Sequence, residues 1–225
     1  MKKLGPRIRY LRYLLNKALL LRRGFPLCTL GDKSNACAWT LCPHGLGAQS
    51  VVYSAGVGKD ITFEHALVER FGCQVTLLDP SPTGLQTMNL PENKIPQFKF
   101  LPIGLAGRSG RLRLAPPPRA EEGSWFASGD GEGTIEVPCR DLVSLLEEQR
   151  HRHVDLLKLD IEGAEYGVID QILQARLPVR QLLVEFHDGI LPTVGIRHSV
   201  RALVKLVVRG YKLISEVGND HTFIR

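Results

Sequence analysis

Residues 50–80 read S-V-V-Y-S-A-G-V-G-K-D-I-T-F-E-H-A-L-V-E-R-F-G-C-Q-V-T-L-L-D-P. An apolar run, a two-glycine turn, an amphipathic stretch and a second apolar run ending in an acid follow in the order of a nucleotide-binding βαβ unit. The spacing predicts a strand over Val51–Ser54, a helix over Ile61–Phe71 and a second strand over Gln74–Leu78. Gly56 and Gly58 lack Cβ atoms, so the backbone there can turn sharply and approach a ligand closely. Asp79, at the carboxyl end of the second strand, is placed to accept hydrogen bonds from both hydroxyls of a ribose.

What is missing selects the cofactor. A dinucleotide fingerprint requires a third glycine where this chain has Ile61, which is branched and large. A phosphate-binding P-loop requires glycine at Tyr53 and Ser or Thr at Asp60. An acid at Asp60, near the helix start, repels phosphate and suits an ammonium. S-adenosylmethionine has a ribose, an ammonium and no phosphate, and it fits best. Two glycines also make an ordinary strand–helix turn; Asp79 in register weighs against that reading. Cofactor contacts are therefore expected at Ser54, Ala55, Gly56, Val57, Gly58, Asp60, Asp79 and Pro80.

A chain of 225 residues with 44% hydrophobic residues suits one large α/β domain. Its five cysteines form no C-x-x-C pair, which argues against a zinc site and a disulfide framework. Cys37 and Cys42 are near enough in sequence to pair, but reduced thiols in a cytoplasmic compartment are the simpler expectation. Residues 1–31 hold eight basic residues and no acid, leaving 21 basic against 23 acidic residues in the body. Nucleic acid is therefore not an expected partner. Ile8, Leu11, Leu15 and Leu19 recur at helical spacing, so residues 1–23 suit peripheral contact with an anionic membrane or, more simply, a solvated helix at the domain edge. Asn16 and Lys17 interrupt the apolar run, which argues against a membrane span and a signal peptide.

Downstream, residues 24–49 read as irregular, punctuated by Pro26, Gly31, Pro43, Gly45 and Gly47. A short helix is expected after Pro82, and a third strand over Phe98–Ile103. Arg111–Leu114 and Thr134–Val137 alternate and are expected to pair. The Pro- and Gly-rich segment between them carries Trp125 and Phe126, suited either to a lid over a substrate or to anchoring the loop. Asp141 is expected to cap a helix ending at Gln149. Val154–Leu159 and Gln181–Phe186 read as strands buried on both faces, and Glu162–Gln174 reads as a helix. Val200, Leu203, Val204, Val207 and Val208 mark another helix. Tyr211–Glu216 and His221–Arg225 form a terminal hairpin around Gly218-Asn219-Asp220. His151 and His153 are expected to be exposed. This alternation predicts a mainly parallel seven-stranded sheet closed by a C-terminal antiparallel hairpin, with helices on both faces: a Rossmann-like class I methyltransferase layout.

A second cluster ends the later strands. L-L-K-L-D-I-E-G-A-E, residues 156–165, crowds Asp160, Glu162 and Glu165 into one turn, and V-E-F-H-D places Glu185, His187 and Asp188 beyond the next strand. Ligands in open α/β sheets sit beyond the carboxyl ends of the strands, so Asp160 is expected beside Gly56 and Asp79. A carboxylate and an imidazole on adjacent strand ends can orient a hydroxyl and remove its proton. Asp160, Glu162, Glu185 and His187 are the expected catalytic residues, with His187 as general base. Glu165 reads as a helix N-terminal acid stabilised by the macrodipole, a reading also open for Glu162. A metal on Asp160, Glu185 and His187 is conceivable, but the spacing identifies no particular metal and none is expected.

The chain resembles the FkbM-type methyltransferases, S-adenosylmethionine-dependent enzymes with a Rossmann-like fold. The resemblance rests on C-P-H-G-L, V-V-Y-S-A-G-V-G-K-D-I-T-F-E-H-A-L, F-G-C-Q-V-T-L-L-D-P-S-P, D-L-L-K-L-D-I-E-G-A-E-Y-G-V-I-D and P-V-R-Q-L-L-V-E-F-H. It implies a methyltransferase domain over 37–225 and leaves the basic arm, residues 1–36, outside. It also implies O-methyl transfer to a sugar, glycan or natural-product hydroxyl, with Gly56, Gly58 and Asp79 on the cofactor and Asp160 beside its methionine part. Ser54 stands where many class I methyltransferases carry an acid, so Asp60 or a backbone carbonyl must take the ammonium. The I-G-L-A-G stretch at 103–107 lacks a frequent acid, leaving the adenine to Ile103, Gly104 and Leu105. A non-catalytic module of the same fold and a nicotinamide-dependent oxidoreductase are the rival readings.

Overall fold

The computed structural model describes residues 20–34, 37–117, 119, 123–127, 132–187 and 195–225. Most of the basic arm and Asp188 lie outside the described residues. Along the chain run β1 (Cys28–Leu30), β2 (Trp39–Leu41), β3 (Val51–Ala55), α1 (Thr62–Phe71), β4 (Gln74–Leu78), α2 (Pro82–Asn89), β5 (Phe98–Leu101) and β6 (Gly104–Leu105). Then come β7 (Gly110–Ala115), β8 (Phe126–Ala127), β9 (Ile135–Arg140), α3 (Leu142–Gln149), β10 (Val154–Leu159), α4 (Glu165–Gln174) and β11 (Val179–Glu185). The chain closes with α5 (Ile196–Val208), β12 (Lys212–Val217) and β13 (Asp220–Ile224).

Seven strands form the main sheet in the order β12-β13-β11-β10-β3-β4-β5. Five are parallel: Val52 of β3 pairs with Val75 of β4 on one side and Leu156 of β10 on the other, and β11 and β5 extend each flank. β13 runs antiparallel to both β11 and β12. This is the expected layout. Strand order reverses at β3, and the crevice beyond its carboxyl end is where open α/β sheets bind ligands.

Strand side chains alternate between two cores. Tyr53, Ala55, Leu157, Leu159, Leu182 and Val184 pack with α3, α4 and α5. Val52, Val75, Leu77, Leu156 and Leu183 pack with Phe63 and Leu67 of α1, Met88 of α2, and Trp39 and Leu41. Helices therefore cover both faces, and truncating any of these fully buried leucines to alanine costs about 2–5 kcal/mol.

Local signals fix the element ends. Gly72 stops α1 in the left-handed conformation at φ 66° and donates to the Val68 carbonyl. The Ser81 hydroxyl accepts from Gly84 N–H at the start of α2, and Asp141 accepts from Ser144 N–H at the start of α3. At the far edge of the sheet Leu21 bridges to Leu213 of β12, and Arg22 N–H donates to the Leu213 carbonyl at 2.7 Å.

Several expectations are corrected. Residues 24–49 contain a two-stranded antiparallel sheet, β1 with β2, which buries Trp39 and Leu41. The third strand stops at Leu101, and the chain crosses into a second sheet of order β6-β9-β7-β8. There β7 and β9 pair as expected, Leu112 with Val137. Helix α4 starts at Glu165 because Glu162 and Gly163 hold left-handed dihedrals, φ 48° and 103°. Helix α5 buries Ser199, Ala202, Leu203 and Leu206 and leaves Val204 and Val208 exposed. His151 is partly buried, its Nδ1 2.7 Å from the Tyr53 hydroxyl. The five cysteines are free thiols. Among the described residues no helix is long and apolar enough to cross a membrane.

Candidate functional site

A cleft opens beyond the carboxyl ends of β3, β4 and β10. The two-glycine turn forms its floor. A Cβ on Gly56, at φ 92°, would fall 1.8 Å from the Asp160 carbonyl oxygen, so only glycine lets this turn pass over the end of β10. Asp79 Oδ2 accepts hydrogen bonds from Val57 N–H and Gly58 N–H at 2.9 and 3.1 Å, and Oδ1 accepts from Ser81 N–H at 2.8 Å. One carboxylate thus fixes the turn, while Oδ1 keeps a lone pair for a ligand. The walls are Leu105, Leu112, Leu114, Trp125 and Ile161. Among the described residues, three acids line the cleft, Asp79, Asp160 and Glu162, and no Lys, Arg or His does.

Under the turn lies a buried ion pair. Lys158 Nζ donates to the Gly56 carbonyl at 2.8 Å and stands 3.5 Å from Glu64 Oε1 and 3.6 Å from Asp160 Oδ2. The Ser54 hydroxyl donates to the same Glu64 oxygen. Burial favours the neutral amine, but the carboxylates of Glu64, Asp160 and Glu185 outweigh it and raise the Lys158 pKa. The Lys158 ammonium lies 5.4 Å from the centre of the Trp39 ring.

The rim cluster gathers at the ends of β10 and β11. His187 is 2% exposed. Its Nδ1 is 3.3 Å from Glu165 Oε1, and its Nε2 is 3.0 Å from Glu162 Oε2, 3.8 Å from Glu185 Oε2 and 3.9 Å from Asp160 Oδ1. Burial opposes the imidazolium, yet Glu162 and Glu165 overcome that and push its pKa up to about 11. Burial and the neighbouring Asp160 push the Glu185 carboxyl up to about 8. Glu162 carries two marks of constraint. Its φ of 48° is costly for a non-glycine residue. Its Oε2 is shielded and, despite the proximity of His187, makes no hydrogen bond.

The turn, Asp79, Pro80, Gly104, Leu105, Asp160 and Glu162 meet in the cleft as expected. Other expected residues stand elsewhere. The side chains of Ser54, Ala55 and Val57 are buried beneath the floor. Asp60 Oδ1 accepts from Thr62 N–H at 2.7 Å and so serves the start of α1. Ile103 packs against the core. His187 lies at the predicted rim, where Glu162 and Glu165 favour its protonated form and so work against a role as general base. Glu165, read as a helix-end acid, is fully buried and holds His187; its Oε2 accepts from Gly163 N–H at 2.7 Å. Trp125 lines the cleft, whereas Phe126 is held by β8, where Ala127 N–H donates to the Glu162 carbonyl. Sequence reasoning missed Lys158 and Glu64. A lone lysine inside the apolar run V-D-L-L-K-L was the available signal, because a buried ammonium requires a partner.

Comparison with known proteins adds the family. The model described as the methyltransferase FkbM domain matches residues 46–213. A hexuronic acid methyltransferase, AglP of Haloferax volcanii, is 28% identical over 137 residues, covering 60% of this chain and 56% of that protein. The chain thus spans little more than half the length of this relative. Among solved structures, Aeropyrum pernix fibrillarin with natively bound S-adenosyl-L-methionine aligns at a TM-score of 0.42 and 13% identity, over 79% of this chain and 66% of that one. An rRNA methylase of Streptococcus thermophilus aligns at 0.40 and 12% identity, over 79% and 86%. Both scores lie below 0.5, so the fold rests on the strand order described above.

Proposed function

Because the chain belongs to the FkbM methyltransferase family, we propose that it transfers a methyl group from S-adenosylmethionine to a hydroxyl oxygen of a sugar, a glycan or a related natural-product scaffold. The observation that carries the cofactor is the charge of the cleft: among the described residues, three acids and no base line a pocket at the switch point of the sheet. Such a pocket repels a pyrophosphate and suits a phosphate-free nucleoside with positive charge. The hexuronic acid methyltransferase among the relatives supports a sugar acceptor.

When bound, the cofactor supplies an electrophilic methyl carbon on a cationic sulfur. The chain's own residues do the rest. Gly56 and Gly58 leave the backbone open to a nucleoside, and Asp79 Oδ1 accepts from a ribose hydroxyl. Gly104 and Leu105 would wall the adenine side, and Asp160 would lie toward the methionine end. The acceptor oxygen is held at the rim, where Asp160, Glu162 and Glu185 orient its hydroxyl and draw off the proton. Holding acceptor and donor in line supplies most of the rate. His187 acts through these carboxylates, as the cation that positions them. Peripheral membrane contact through residues 1–23 would bring the site to surface glycans.

The test is a calorimetric titration with S-adenosylmethionine, followed by labelled methyl transfer to oligosaccharides containing hexuronic acid, with the product mapped by NMR. A methylated hydroxyl is expected. Methylation of the carboxylate would overturn the hydroxyl assignment. Cofactor binding without turnover on a broad glycan panel would make the chain a non-catalytic module.

A further inference from the structure

We propose that Asp160, Glu185 and His187 form a divalent-cation site whose ion holds the acceptor oxygen at the rim of the cleft. The role of the ion rests on the methyl-transfer reading; its binding does not.

One oxygen from each acid and one imidazole nitrogen lie within 4.8 Å of one another. Ligands about 2.1 Å from a common ion sit roughly 3–4 Å apart. The distances from His187 Nε2 to Asp160 Oδ1 and Glu185 Oε2, 3.9 and 3.8 Å, therefore need only a small contraction.

Three further features orient the set. Glu165 faces His187 Nδ1 at 3.3 Å and so directs Nε2 at the carboxylates. A carboxylate behind a histidine is the usual arrangement at metal-bound imidazoles. Lys158 stands 3.6 Å from Asp160 Oδ2, which turns Oδ1 toward His187. Glu162 Oε2 lies 3.0 Å from Nε2, and its left-handed backbone is fixed where the carbonyl accepts from Ala127. A cation at this point would therefore have a third carboxylate oxygen within reach. Without an ion, the His187 imidazolium and the Lys158 ammonium face these acids; a bound ion takes the place of the Nε2 proton, which is released.

The donor set also suggests which ion. One nitrogen and two or three carboxylates with no sulfur suit Mn²⁺ or a similar hard-to-borderline divalent ion. Asp160 and Glu185 are 30% and 29% exposed, so the site is reachable, and Asp160 borders the cleft.

The probe is Mn²⁺ added to the EDTA-treated full chain, without cofactor, and read by loss of the free-ion EPR signal. One Mn²⁺ per chain is expected. Glu185→Gln should weaken binding about tenfold or more, and Glu165→Gln by a similar factor through Nδ1. Circular dichroism checks each fold; if Glu185→Gln unfolds, Asp160→Asn gives the same test. Absence of binding at millimolar Mn²⁺, or unchanged affinity in the folded variants, overturns the site. S-adenosylmethionine titrated into the same samples separates the two readings. Cofactor binding without Mn²⁺ binding ends the cation site alone. Mn²⁺ binding without cofactor binding leaves the site standing and ends the methyl-transfer reading.

Discussion

A methyl group on Gly84 would fall 2.3 Å from Cγ of Asp79. Helix α2 therefore packs its first turn directly against the acid that fixes the glycine turn. Gly84→Ala should displace that carboxylate and weaken S-adenosylmethionine binding about tenfold, the worth of one hydrogen bond to a charged group. Calorimetry on a variant with unchanged circular dichroism checks this, and wild-type affinity would rule it out. Lys158→Met makes a second residue-scale case. It leaves Glu64, 1% exposed, without the ammonium that stands 3.5 Å from it. Destabilisation of about 3–5 kcal/mol is expected in urea unfolding. The pair Lys158→Met with Glu64→Gln should recover much of it, because both charges are then gone. Such residues show what a sequence can disclose. Gly56 and Asp79 were legible because backbone geometry and ribose chemistry demand those residue types at that spacing. The role of Glu165 was not, since a helix-end acid and a buried anchor look alike until β11 brings His187 against it.

At the scale of elements, Asp141 joins three pieces. It caps α3 and also accepts from Ser109 and from Gln171 of α4. Burial alone would raise its pKa, but hydrogen bonds from Ser109, Ser144 and Gln171 hold it well below the usual carboxylate range. A lowered pKa stabilises the fold above the unfolded value near 3.8, and that contribution fades as pH falls through the folded value. Asp141→Asn does not titrate there. It should lower Tm near neutrality by a few degrees, because one amide oxygen replaces two charged acceptors that serve Ser109, Ser144 and Gln171, and the gap to wild type should narrow below about pH 4. A gap independent of pH would refute the account. The parallel strands were legible because burial on both faces produces continuous apolar runs, as in Val154–Leu159. Helix α5 was legible in existence and not in orientation. Its valines and its small residues both recur at helical spacing, and the sheet selected the row of Ser199, Ala202, Leu203 and Leu206. The start of α4 was hidden because nothing in the sequence marks Glu162 as left-handed.

For the whole molecule, the contrast is between a near-neutral body and an arm of one sign. Residues 1–19 hold six basic residues and no acid. Each contributes about 1 kcal/mol beside an anionic bilayer, and salt screens it. Deleting residues 1–19 should leave Tm and cofactor affinity unchanged and lower co-sedimentation with phosphatidylserine vesicles at low salt. If the full-length chain does not sediment with them, the membrane reading fails. The place of the cut matters because of the Leu21–Leu213 bridge. Those few residues cover part of the outermost strand, whose unpaired amides and carbonyls would otherwise offer a template to a neighbouring copy. A truncation series should thus show an abrupt change in colloidal behaviour: chains starting at residue 20 stay monodisperse in light scattering, and chains starting at 24 self-associate through a sheet extended from one molecule to the next.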